Sequence, residues 1–141
     1  MNVLLSLVVV SVVAHYPDEA MQKLERTWEG YAVEGRGEKP DQGPLHLRLI
    51  IKGDQINAID LGSPGQDKEM GNGTYKLDPS PTKEIDATGV ILPGRREKTY
   101  PGIYELDGDT LKWCVDNRGK SRPTEFHTGN GKYLLILKRQ K

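Results

Sequence analysis

An all-β fold is predicted, an antiparallel up-and-down barrel of about eight strands with a short helix in front of it. Three observations lead there. Runs of strand length alternate apolar and polar residues, most cleanly Leu45, Leu47, Leu49 and Ile51 against His46, Arg48 and Lys52. Glycine-bearing bends such as Gly53-Asp54 and Asp107-Gly108-Asp109 sit between β-prone runs and read as hairpin turns. The strand candidates recur at intervals of about ten residues, the spacing expected of a sandwich or barrel. Sixteen Gly and nine Pro, spread without a repeat, agree with many short turns.

Taken in order, residues 1–14 are nearly all apolar and end in small residues before His15. This resembles the apolar region and cleavage site of a secretory signal, and it is too short for a comfortable membrane span. The expected division is a leader over residues 1–14 and one domain over residues 15–141. The expected location is secreted or periplasmic; if the leader instead packs on the domain, the protein is cytoplasmic. No membrane-spanning segment is expected in the mature domain.

Pro17 is followed by acidic residues and then good helix formers, with Ala20, Met21 and Leu24 at helical spacing, so residues 17–25 read as a short helix. Residues 31–34 read as the first strand, and residues 34–44 as a polar Gly- and Pro-rich loop. The strand at residues 45–52 turns at Gly53 into a less regular one at residues 55–61. Residues 62–72 read as a further loop. Residues 73–78 alternate again and stop at Pro79 and Pro81, because proline cannot donate to a strand ladder. Residues 83–88 form the next strand and residues 92–100 a basic connection. The central hairpin pairs residues 103–106 with 111–115. Residues 122–127 read as another strand, and residues 133–138 close the chain.

Twenty basic and twenty acidic residues cancel, and no run of one sign stands out. That disfavours nucleic acid or an anionic membrane as partner. Within 141 residues one domain with one core is expected, as a monomer or weak dimer. A single cysteine, Cys114, excludes an internal disulfide.

The central hairpin, Gly102-Ile103-Tyr104-x-Leu106-Asp107-Gly108-Asp109-x-Leu111-x-x-Cys114, is followed by Arg122-Pro123-x-x-Phe126. Together they resemble the signature of the planctomycetal lipocalin-like domain family, which is essentially uncharacterised. Gly73-Thr74-Tyr75-Lys76-Leu77-Asp78-Pro79, Lys83-Glu84-Ile85-Asp86 and Leu137-Lys138-Arg139 also look like family motifs, so the resemblance covers residues 24–139. It implies an antiparallel calycin-type barrel and brings no activity with it. Trp113 and the loop at His127 depart from the family pattern. The Trp28-Glu29-Gly30 entry to the first strand also resembles the opening of lipocalin-type barrels, where the Trp plugs the closed end; as an ordinary core aromatic it would be equally buried.

An eight-stranded barrel is just wide enough to hold one small ligand or to be filled by its own side chains. The first functional expectation is therefore binding of an apolar or amphipathic small molecule. Of the two faces of the central hairpin, the apolar set would face the lumen, making Tyr104 and Trp113 walls with polar tips. Phe126 joins them as a ligand-side aromatic. Arg122, on a strand pointing inward, would need an acidic partner such as Glu105 or Glu125, or an anionic ligand.

A hydrolase of esters or phosphoesters is the second expectation, with His127, Glu125, Tyr104 and Cys114 as its candidate groups and a divalent metal as its possible cofactor. The spacing of these residues selects no catalytic set. Cys114 reads equally as an inert buried thiol. His15, His46 and His127 have no metal-ligand spacing, and Asp107 and Asp109 suit a turn better than a calcium loop, so no metal site and no bound cofactor are expected. A structural or interaction module is the third reading.

Overall fold

The structure, a computed structural model, describes residues 16–33, 45–62, 65–78, 83–90, 97–116, 118–129 and 131–141. The leader and the loop at residues 34–44 lie outside the described residues. Helix α1 (Tyr16–Leu24) precedes strands β1 (Thr27–Val33), β2 (Leu45–Lys52), β3 (Gln55–Asp60), β4 (Lys68–Asp78), β5 (Glu84–Val90), β6 (Lys98–Asp107), β7 (Thr110–Asp116) and β8 (Lys132–Arg139). Each strand pairs antiparallel with the next, and β8 returns to β1, so the eight strands close an up-and-down barrel. Closure leaves no free sheet edge.

Alternation decides which residues fill the barrel. Trp28, Ala32, Leu47, Leu49, Ile51, Tyr75, Ile85, Tyr104, Leu111, Trp113 and Leu137 point inward and form one buried cluster. Their sequence neighbours point outward, as in the Glu29–Arg48 ion pair and the stacked rings of Tyr31 and His46, 4.5 Å apart. The tight reversals at Gly53 and Gly108 have φ of 56° and 57°, the left-handed conformation that glycine adopts without a Cβ penalty.

One end of the barrel is closed by α1, by the β2–β3 and β6–β7 turns and by both ends of the strand series. Trp28 is fully buried there, and its Nε1 donates to the Leu24 carbonyl at 2.9 Å. The Arg139 guanidinium lies over the Trp28 ring at 5.3 Å. Tyr75 fixes the neighbouring turn: its hydroxyl donates to the Gly53 carbonyl at 2.8 Å and its N–H to the Asp54 carbonyl at 2.9 Å.

Several boundaries differ from the sequence reading. The first strand starts at Thr27 rather than Tyr31, β4 takes in Lys68–Asn72 from the expected loop, and β6 takes in Lys98–Tyr100 from the expected connection. Extra pairing explains the last two, since Lys68 and Asn72 find partners on β3 and Lys98 on β5. The larger correction concerns residues 122–127, which are not a strand. β7 and β8 already pair directly, from Asp116–Lys132 to Thr110–Lys138, so the ladder has no place for a strand between them. Pro123, which lacks an N–H, suits the irregular strap that residues 118–129 form over the outside of the barrel.

Candidate functional site

The sequence-predicted site residues divide between the two sides of the wall. Tyr104 and Trp113 are register partners on β6 and β7, both inward, and are 7% and 5% exposed. Arg122, Phe126, His127 and Glu125 belong to the strap, outside the barrel. Cys114 is fully buried but faces outward, in a second small cluster with Leu134, Ile136, Ile103 and Phe126.

Three anchors hold the strap. Asp116, fully buried, accepts hydrogen bonds from the Arg118 N–H at 2.9 Å, from Arg118 Nε at 3.1 Å and from the Ser121 hydroxyl at 3.3 Å. These bonds, above all those from the Arg118 side chain, hold the Asp116 carboxyl down at about 2 against the opposing effect of burial. Arg122 donates from Nη1 to the Gly102 carbonyl at 2.9 Å and pairs with Asp86 at 2.8 Å and Glu84 at 3.6 Å. The expectation of an inward Arg122 paired with Glu105 or Glu125 is therefore corrected: its partners are outward-facing acids on β5. Phe126 is the third anchor, packed on the outer apolar cluster.

The hydrolase candidates are not brought together. Tyr104 is inside the wall and Cys114 outside it. The Cys114 thiol donates to the His127 carbonyl at 3.4 Å, and the His127 ring Nδ1 lies 3.0 Å from the Thr128 carbonyl. Glu125 is exposed on the strap. Among the described residues no group of three or more His, Cys, Asp or Glu side chains is placed to hold a metal ion. No helix among them is long and apolar enough to cross a membrane.

The lumen has a consistent chemistry. Along four strands the inward residues become more accessible toward the end opposite α1. On β7, Leu111 is 1% exposed, Trp113 5%, and Val115 half-buried. On β8, Leu137 is fully buried while Leu135 and Tyr133 are half-buried. On β5, Ile85 gives way to half-buried Ala87 and Gly89, and on β2 Leu47 gives way to half-buried Leu45. Ile56, Leu77 and Leu106, beside the turns of the closed end, are half-buried too. Side chains on the β3–β5 side are small at mid-height, where Ala58, Gly73, Ala87 and Gly89 take inward positions.

Charge is confined to the rim. By register, Asp60, Lys68 and Lys98 fall on inward rows at strand ends, and Lys98 Nζ lies 5.6 Å from the Tyr100 ring centre. Between them and Arg139, which lies over Trp28 at the closed end, the inward side chains of the described residues are uncharged. Burial raises the Tyr104 phenol above its ordinary pKa, and burial together with nearby Asp54 pushes Tyr75 up to about 12. Both are neutral at physiological pH. Four buried side-chain polar atoms of the described residues lack a hydrogen-bond partner, Asn57 Oδ1, Asp86 Oδ1, Arg139 Nε and Trp113 Nε1, and of these Trp113 Nε1 belongs to the inward face of β7. Sequence reasoning identified the Trp113 ring, but register and backbone close to Nε1 isolate its N–H, and no motif carries that information.

Comparison of the chain with known protein families, characterised proteins and solved structures gives no match.

Proposed function

We propose that this protein is a lipocalin-like carrier that holds a small apolar or amphipathic molecule in the open half of its barrel. The observation that carries the reading is the axial change in the lumen, from a filled aromatic and aliphatic floor to half-buried Val115, Tyr133 and Leu135 at the mouth. Concave, mostly apolar sites with a few placed polar groups are the usual form of small-molecule sites. The hairpin and Arg-Pro motifs support placing the chain in the planctomycetal lipocalin-like family, and the apolar residues 1–14 support export to the periplasm or outside the cell. The separation of Tyr104 from Cys114, His127 and Glu125 favours binding over hydrolysis.

Titration with 1-aminoanthracene, alongside native mass spectrometry of the purified protein, tests the reading. Saturable one-to-one binding with energy transfer from tryptophan is expected. No binding by this probe and no co-purified mass would contradict it. Ester and phosphoester panels, with and without chelator, are expected to show no turnover.

A further inference from the structure

Arg122 on the strap leaves the deep lumen without the cation that an inward arginine would have provided. Between the rim and Arg139, which lies beyond Trp28 at the closed end, the inward side chains of the described residues are Leu, Ile, Val, Ala, Tyr and Trp. A carboxylate or phosphate carried to that depth would lose its hydration and meet no counter-charge, which is strongly unfavourable. A plain hydrocarbon would leave the Trp113 N–H as it is, buried and unpaired, at the cost of an unsatisfied donor. Buried donors in native proteins are rarely left so; of the two among the described residues, Arg139 Nε lies at the closed end and Trp113 Nε1 on the inward face of β7.

Trp113 Nε1 also has a defined place in the wall. It lies beside Gly102 on β6, so close that a Cβ on that residue would come within 2.9 Å of it. On β5 the register partner of Gly102 is the fully buried Ile85, and the next inward residues toward the mouth are Ala87 and Gly89, opposite Tyr100 and Lys98. The donor is therefore set against a glycine in the wall, at the level where buried Ile85 gives way to half-buried Ala87. Tyr104, its cross-strand partner, places a neutral phenol on the same inward face.

We infer that the ligand class of this lumen is neutral and amphipathic, with a hydrogen-bond acceptor such as a ketone, ester or amide carbonyl at its buried end, received by Trp113 Nε1. This rests on the lumen being the binding site. The rim lysines, Lys68 and Lys98, stand at the solvent end and tolerate polar groups there without selecting the buried end.

Three near-isosteres separate the possibilities: 2-acetylnaphthalene, 2-ethylnaphthalene and 2-naphthoate, titrated into the full chain and into Trp113→Phe. The ketone-to-hydrocarbon affinity ratio is expected to fall roughly fivefold in the variant, the value of one net hydrogen bond. Naphthoate is expected to bind the wild-type protein most weakly. An unchanged ratio, or naphthoate binding most tightly, would overturn the inference while leaving lumen binding intact. Failure of all three ligands to bind would remove the lumen reading itself and the inference with it. Nitrogen-15 NMR of the wild-type protein gives a measurement independent of how well the variant folds. The Trp113 indole N–H is expected to shift downfield with the ketone and not with the hydrocarbon, with the Trp28 N–H, already bonded to Leu24, as the unmoved reference. Equal shifts with both ligands would overturn the inference.

Discussion

Trp113 and Cys114 are adjacent in sequence and on opposite sides of the barrel wall: the indole lies in the lumen, and the thiol donates outward to the His127 carbonyl at 3.4 Å. Two-residue periodicity requires this of any strand, but here both sides are buried. The strap turns the outer face of β6–β8 into a second, smaller core, so stability and binding can be perturbed separately.

Arg122 is the clearest case. Arg122→Met removes the donor to the Gly102 carbonyl and the ion pairs to Asp86 and Glu84. The ion pairs are partly exposed and contribute little, so most of the cost is the lost charge-assisted hydrogen bond to the Gly102 carbonyl. A loss of about 1–2 kcal/mol in urea unfolding is expected, with 1-aminoanthracene affinity unchanged. Unchanged stability with lost probe binding would return Arg122 to the ligand.

Asp116 sets an acid limit. Its folded carboxyl titrates at about 2, below the ordinary 3.8, so it favours the folded state above the ordinary value. That contribution declines as pH falls below 3.8 and is gone below about 2. Asp116→Asn is expected to cost about 2 kcal/mol near neutrality through its charge-assisted bonds to Arg118. Its stability should also fall less steeply than that of the wild-type protein between those two pH values. Parallel stability–pH curves would refute the assignment.

Phe126 shields Cys114. The native thiol, with no exposed surface, should react with a disulfide reagent only on unfolding. Phe126→Ala should cost about 1–2 kcal/mol, less than a fully buried aromatic because Phe126 is half-buried, and should speed the reaction at least tenfold. Equal rates in the two proteins would show that the strap does not seal this face.

Gly102 is where the two sides meet. A Cβ there would lie 2.7 Å from the Cys114 carbonyl oxygen and 2.9 Å from Trp113 Nε1. Gly102→Ala is therefore expected to destabilise by about 1–3 kcal/mol and to alter Trp113 fluorescence. A stable variant with an unchanged spectrum would contradict the close packing.

Much of the fold was legible because β2 and the two Asp/Gly turns obey simple rules: strict alternation, then a residue free to take positive φ. The inward Tyr104 and Trp113 follow from the same periodicity, whereas the closed-end place of Trp28 was expected from the resemblance of Trp28-Glu29-Gly30 to the opening of lipocalin-type barrels. The strap was not legible. Ile103, Cys114, Leu134 and Ile136 are as apolar as a lumen-facing row, so polarity could not separate inside from outside on β6–β8, and Arg122-Pro123 read as one more strand. Its true partners, Glu84 and Asp86, lie 36 or more residues away in sequence, a contact that the pairing of β5, β6 and β7 creates.

The most direct test is an isotope-filtered NOE experiment on protein bound to 2-acetylnaphthalene. Leu135 faces the lumen, while its neighbours Leu134 and Ile136 face the outer cluster. Ligand contacts are expected on Leu135, Val115 and Ala87. Contacts on Leu134 and Ile136 instead, or none on the inward set at saturating ligand, would contradict a binding site inside the barrel.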